Sequence, residues 1–524
     1  MTATQATASN GVSYDVKDGV AVLVLDNPPV NALSHQVRIA LRDGVERALQ
    51  DDSADALVIA CAGRTFFAGA DVKELGRPIE PPLLGDVMTA FEAASKPIIC
   101  AMHGTPLGGG LEIALAAHFR VAVPSTHMGL PEADLGLLPG AGGTQRLPRM
   151  IGVGAALDMI ALSQKITAEK ALELGVIDAV VREDQMIADA VDFARGIVDE
   201  NRPLGRVRDI SMAMDEAELE RLFAAFREQH QALFVGLKAA AGAIETIRAA
   251  ATLPFEEGLK CEKTTAQALT ASPESAAQRH LFFAERAARK WPRSHERVNA
   301  PPMRLSGSWK EANNLVPVDD GIQESGAGLI LADDAMFDDY RDLVVKSRAR
   351  PLVTTHFCDR IEDLAAAMAD PSPLVGVSVR GGVWEIHHGA RTAAQSALAV
   401  MALAQKARRS AIFVRADHGV VNDRIEAALK AGMAQAASTG TSDTAIAAAL
   451  QAYGFDPFRL GGKRTAGTDD SDGELIASIL APAHAEAKRI IDEGTVFRAS
   501  DIDLACVRSG LWPLWRGGPA FGAG

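Results

Sequence analysis

Two glutamates stand beside glycine-rich turns in a pattern suited to acid/base chemistry at an oxyanion. Glu112 follows the triplet Gly108-Gly109-Gly110, and Glu132 follows Pro131 ahead of the run Pro139-Gly140-Ala141-Gly142-Gly143-Thr144. A third segment, Phe67-Ala68-Gly69-Ala70-Asp71, precedes both. A glycine triplet between a strand and a helix lets the backbone come close to a ligand. The helix start then offers unpaired N–H groups and a positive dipole end, which suit a developing oxyanion such as a thioester enolate. Two carboxyls around one site divide acid and base roles when their surroundings push their pKa values apart. Either segment alone has a plainer reading: a glycine triplet is usually a turn, and a glutamate early in a helix usually serves the dipole from the surface.

The elements that must position these residues alternate. Residues 13–25 read as two short strands around Lys17-Asp18-Gly19, and 35–51 as an amphipathic helix burying Val37, Leu41, Val45, Ala48 and Leu49. Short apolar runs at 56–63, 96–104 and 119–123 read as buried strands, and 110–119 as a helix opening on the triplet. This is an α/β pattern with parallel strands. From 150 to 296 the pattern is helical, ending in a long helix over 273–290 stopped by Pro292; 292–325, with Pro301, Pro302 and Pro317, is a boundary region. Strand-like runs return at 329–334, 351–357 and 373–379, and from 391 onward the chain reads as mostly helical.

A chain of 524 residues is too long for one ordinary core, so two or three domains are expected. The net charge of −14, with no basic stripe, argues against nucleic acid as a partner. No apolar run is long enough for a membrane span, and the polar start MTATQATASNG lacks the apolar core of a signal peptide. Five scattered cysteines with no CxxC pair fit a reduced protein, expected in the cytoplasm. None of the twelve histidines has zinc-ligand spacing, so no metal is expected; His103 and His118 read as structural.

The blocks FFAGADVKEL, MHGTPLGGGLEIALAAHFRVAV and MGLPEADLGLLPGAGGTQRLPRMIG, in that order between Phe66 and Gly152, resemble the signature of the enoyl-CoA hydratase (crotonase) family. NPPVNAL, residues 27–33, resembles that family's loop against the CoA moiety. The resemblance implies a crotonase (ββα superhelix) fold acting on an acyl-CoA. It assigns the oxyanion hole to the amides of Ala70 and Gly109, and catalysis to Glu112 and Glu132. It places Val30, Ala32, Ala68, Gly69, Asp71, Gly110, Pro139 and Gly140 along CoA and substrate. Keeping both glutamates favours hydration of a 2-enoyl-CoA. Isomerase, retro-aldol lyase or hydrolase chemistry, and a CoA-binding assembly subunit without turnover, are the alternatives. No cofactor beyond the substrate's CoA is implied; the assembly is a homo-oligomer or a complex with another β-oxidation enzyme, in fatty-acid or steroid degradation.

Residues 253–291 resemble the linker helix of multifunctional fatty-acid oxidation enzymes, and 453–461 with 501–521 resemble the helical domain of their 3-hydroxyacyl-CoA dehydrogenase half. The expected domains are therefore crotonase (1–252), linker helix (253–296), a truncated Rossmann-like region (297–390) and a helical dehydrogenase-like domain (391–524). A working dehydrogenase needs strand, GxGxxG, then helix. Gly326-Ala327-Gly328 instead precedes its strand and has no third glycine at the right offset. Ser378 stands where the family's catalytic histidine would, although Glu385 and Asn422 align with its glutamate and asparagine, and His387 and His388 lie beyond the motif. This half is expected to bind no NAD and to serve as a non-catalytic scaffold.

Overall fold

A computed structural model describes residues 11–71, 74, 78–212, 214–291, 351–355, 360–461 and 473–523, together with the backbone of 303–307 and 328–332. Most of the boundary region 292–325, and Gly326 and Ala327 of the GxG, lie outside the described residues. The chain divides into two compact units, Met1–Ser275 and Ala276–Gly524.

In the first unit, β1 (Val12–Lys17) and β2 (Val20–Leu25) form a hairpin. Its two-residue turn, Asp18-Gly19, has φ of 51° and 77°, the doubly left-handed turn that suits the strand twist. Three crossovers follow: α1 (His35–Gln50) leads to β3 (Ala56–Cys61), α2 (Leu84–Ala93) to β4 (Ile98–Met102), and α3 (Gly109–Ala116) to β5 (Phe119–Ala122). A small antiparallel pair, β6 (His127–Met128) with β7 (Ile166–Thr167), stands apart. The main sheet closes with β8 (Ala179–Val180) in the order β1-β2-β3-β4-β5-β8, parallel from β2 onward.

All six residues of β3 are buried, because helices cover both faces of the sheet. Ala56, Val58 and Ala60 face one apolar layer, which includes Ala190, Val191 and Ala194 of the helix Met186–Asp199. Leu57, Ile59 and Cys61, at the alternate positions, face the larger core with Leu41, Phe67, Phe91 and Leu111. The site-bearing segments leave the sheet on that larger-core side. Four more helices build around them: Gly143–Ile151, Val153–Ala161, Ala239–Thr252 and Phe255–Ala271. The helix 239–252 packs on the other three. The expected 110–119 helix is shorter, ending at Ala116, because Phe119 already pairs with Ile99 in the sheet. Pro131 and Glu132 open a short 3-10 helix, Pro131–Leu135.

The second unit carries another six-stranded sheet, β9 (Met303–Gly307), β10 (Gly328–Ala332), β11 (Leu352–Thr354), β12 (Leu374–Arg380), β13 (Val383–His388) and β14 (Ser410–Arg415), side by side in chain order. Among the described strands of this sheet, only β12 and β13 pair antiparallel, through a tight turn at Gly381-Gly382. The sheet therefore continues past residue 390: helix Ala394–Lys406 covers it and β14 extends it, where the sequence reads as helical. SAIFVR is a short apolar run between alanine-rich helices, and tertiary pairing rather than local pattern makes it a strand. The helices Val421–Ser438, Asp443–Tyr453, Gly473–Asp492 and Ala499–Arg508 then share a separate core.

Gly110 marks the tightest approach in the first unit, since a Cβ there would lie 1.8 Å from the Phe67 carbonyl oxygen. Gly110→Ala is expected to destabilise this unit by about 2–3 kcal/mol, as overpacking of a close backbone contact does. A denaturant titration monitored on the N-terminal unit checks it, and an unchanged midpoint counts against that close contact.

Candidate active site

The site is assembled where β3 and β4 end. After β3 the chain runs to Phe67–Ala70; after β4 it turns through Gly108 into α3. Because Gly110 lies against Phe67, the neighbouring Gly109 comes close to Ala70: a Cβ at Gly109 would sit 3.5 Å from the Ala70 amide nitrogen. Gly109 opens α3, so its own N–H belongs to the first turn, where helices have no internal acceptors. The loop 27–33 is laced to the same segment. The Leu33 amide donates to the Gly69 carbonyl (2.9 Å), and the Ala68 amide donates to the Val30 carbonyl (3.2 Å). Asn31 fixes this loop by donating to the carbonyls of Ala62 (2.8 Å) and Thr65 (2.7 Å). Val30, Ala32, Ala68, Gly69, Ala70, Gly109 and Gly110 thus share one neighbourhood, and Ala70 remains exposed.

Glu112 is buried in the first turn of α3. Its Oε1 accepts from the amides of Ala141 and Gly143, both at 2.8 Å. Pro139 and Gly140 lead directly into those donors. Gly143 permits the approach, since a Cβ there would meet Pro139 Cβ at 2.7 Å and Glu112 Oε1 at 2.9 Å. Glu132 packs against Gly108: its Oε1 is 2.6 Å from where a Gly108 Cβ would be. Gly108 also accepts the Glu112 amide through its carbonyl (2.9 Å). The Glu112 carboxylate acts on Glu132 through its charge, so the two carboxyl groups are neighbours. Glu132 Oε2 is buried and has no hydrogen-bonding partner among the described residues.

Burial raises the Glu112 pKa, opposed by the two amides and by the Arg146 guanidinium. Glu132 is pushed up well above the usual carboxylate range, first by burial, then by the Glu112 and Glu262 carboxylates. The environments differ in kind: Glu112 has donors that favour its anion, while Glu132 faces like charges that favour its acid.

Glu262 is missed by motif reading. It comes from the helix Phe255–Ala271, is 1% exposed, and accepts from the Gly142 amide (2.6 Å), the Thr144 amide (2.9 Å) and the Thr144 hydroxyl (2.6 Å). Burial and the nearby Glu112 carboxylate push its pKa up to about 8, against the pull of those donors. Its signal in the sequence is a charge on a buried stripe, with Phe255, Gly258, Glu262 and Leu269 at helical spacing. Arg146, 3% exposed, completes the frame by donating to Glu92 (2.8 Å) and to the Ala141 carbonyl (3.0 Å). His118 is structural: its Nδ1 accepts the Ile98 amide at 3.1 Å.

In the second unit, Glu385 accepts from the Val421 amide (2.7 Å), the Asn422 amide (3.0 Å) and Asn422 Nδ2 (2.8 Å), and Asn422 in turn accepts from the Ser509 hydroxyl (2.7 Å). Ser378 lies opposite Glu385 in the β12–β13 ladder, and its hydroxyl is 2.9 Å from His387 Nε2. His387 is fully buried, and burial drops its pKa to about 3.

Residues 15–275 match the family described as enoyl-CoA hydratase/isomerase. The chain is 41% identical over 278 residues to a protein named peroxisomal bifunctional enzyme from Danio rerio, covering 53% of this chain and 38% of that one. It is 35% identical over 328 residues to the Homo sapiens protein of the same name, covering 60% and 42%. It is 36% identical over 288 residues to the glyoxysomal fatty acid beta-oxidation multifunctional protein MFP-a of Cucumis sativus, covering 52% and 39%. The matched stretch thus spans about two fifths of the length of these curated relatives.

The raised Glu262 pKa has a consequence for stability. A carboxyl at about 8 in the folded chain, against 4.5 for the free group, keeps a proton that the unfolded chain releases. Folding stability then falls as pH rises between those two values. Glu262→Gln removes this titration. Its melting temperature relative to the parent is therefore expected to become more favourable from about pH 5 to about pH 8.5. A difference that is flat with pH contradicts the assigned environment.

Proposed function

Because residues 15–275 belong to the enoyl-CoA hydratase/isomerase family, we propose that this chain hydrates a 2-enoyl-CoA to a 3-hydroxyacyl-CoA. The observation that carries the reading is the pairing of buried Glu112 with Glu132, whose carboxyl packs against Gly108, beside the residue Gly109 that faces Ala70. The amides of Ala70 and Gly109 hold the thioester oxygen and take up enolate charge as it develops, a contribution of about 3 kcal/mol for each donor of this kind. Glu112, the carboxyl with donors for its anion, takes the proton from water as the hydroxyl adds to Cβ. Glu132, the more strongly raised of the two, delivers a proton to Cα. Val30, Ala32, Ala68, Gly69 and Asp71 line the CoA side; Gly110, Pro139 and Gly140 shape the turn beside the acyl chain.

We extend the reading to the second unit, which takes no part in hydride transfer and acts as a scaffold. Ser378 at the histidine position supports this, as does the strand order. Dinucleotides bind where the order of a parallel sheet reverses, and the described strands β9 to β14 follow one another without reversal. No NAD is needed in this scheme. A cytoplasmic location, and self-association or association with another β-oxidation enzyme, complete the proposal. Cys61, Cys100, Cys261 and Cys506 are all free, as a reducing compartment requires.

Glu112→Gln and Glu132→Gln are each expected to lower kcat for crotonyl-CoA hydration by about 10²–10⁴-fold, the usual worth of a positioned acid or base. Retained hydration in both variants overturns the two-carboxylate mechanism, and double-bond migration without water addition, followed by mass spectrometry, moves the assignment to isomerase. For the second unit, incubation with NAD and a 3-hydroxyacyl-CoA is expected to give no absorbance change at the nicotinamide band. Formation of NADH refutes the scaffold reading.

A further inference from the structure

Four consecutive amides at the entry to the helix Gly143–Ile151 are shared between two buried carboxylates on different elements. Ala141 and Gly143 donate to Glu112; Gly142 and Thr144 donate to Glu262. The division is strict, odd residues toward α3 and even residues toward the helix Phe255–Ala271. Each set constrains the other, because rotating one peptide toward either carboxylate turns its neighbour away from the opposite one. The Thr144 hydroxyl adds a third donor to Glu262 and in turn accepts Gln145 Nε2 at 3.0 Å. Arg146 pins the Ala141 carbonyl on the same ribbon.

We propose that Glu262 is a positioning residue for the reaction: by gripping the Gly142 and Thr144 amides from behind, it aims the Ala141 and Gly143 amides at Glu112 and holds that carboxylate in a single orientation toward the reacting water. The inference rests on the hydratase reading for its chemistry, but its structural half stands on the ribbon alone. Glu262 itself touches no reacting atom. Each of its oxygens faces a backbone N–H, Gly142 on one and Thr144 on the other, so a glutamine in its place presents an NH2 group to one of these donors and loosens the ribbon on that side. Misplacing a catalytic group by about 1 Å costs on the order of 100-fold in rate.

The test uses the full chain with Glu262→Gln and, separately, Thr144→Val, which keeps the backbone donors to Glu262 and removes the hydroxyl that donates to Glu262 and accepts from Gln145. Hydration of crotonyl-CoA is expected to lose about 10-fold to 100-fold in kcat in Glu262→Gln, with KM within about twofold, since binding contacts are untouched. Thr144→Val is expected to show the same pattern at about 3-fold to 10-fold. Hydrogen exchange over residues 140–146 is expected to be slow in the parent and faster in both variants. Parental kcat in variants that melt at lower temperature overturns the proposal and leaves Glu262 a purely structural residue. A rise in KM at constant kcat overturns it as well. If Glu262→Gln does not fold, Thr144→Val alone decides on the same criteria. If the parent itself hydrates no enoyl-CoA, the hydratase reading fails separately, and exchange over 140–146 decides the ribbon: unchanged protection in the variants ends the inference.

Discussion

A carboxyl group taken out of water needs N–H groups in place of the water, and for Glu112 and Glu262 one stretch of backbone supplies them. Residues 141–144 supply the donors for both Glu112 and Glu262. The strands, crossovers and glycines upstream serve to bring α3 up to that stretch. Gly110 allows the Phe67 contact and Gly143 allows the Glu112 contact. Glu132, held against Gly108 with one oxygen unpartnered, lacks this supply of donors. Neighbouring glutamates with different hydrogen-bond supplies therefore have different proton affinities, the condition for splitting acid and base duties.

The legible part of this site is the local part. Glycines that permit close approach, a glutamate one turn into a helix and a proline-flanked glutamate all lie within short segments, and their order is recognisable in the sequence. The hairpin at Asp18-Gly19 was equally readable, because two left-handed positions in sequence dictate the turn. Glu262 was not readable as functional, since it meets Gly142 across 120 residues and its neighbours in sequence form an ordinary amphipathic helix. Only its place on the buried stripe marks it. The ends of elements shifted for the same reason: α3 stops at Ala116 because the sheet claims Phe119, and SAIFVR becomes β14 because β13 is there to receive it.

The second unit is built around a packed polar frame. Glu385, Asn422 and Ser509 form a satisfied, buried hydrogen-bond chain that caps the helix 421–438, so these side chains have structural employment. His387, sealed from solvent beside Ser378, favours its neutral form. Polar groups of this kind are retained because losing one strands its buried partner.

The helix Phe255–Ala271 carries Glu262, yet it lies past the last signature block and past the end of helix 239–252. Trimming the polypeptide after Thr252 would spare every signature block between Phe66 and Gly152 and still strip the ribbon of its rear support. Recombination between relatives faces the same barrier. A crossover in the loop at Leu253-Pro254 would pair one parent's amide ribbon with another parent's anchoring helix. The portable module extends to Ser275, where the compact unit itself ends.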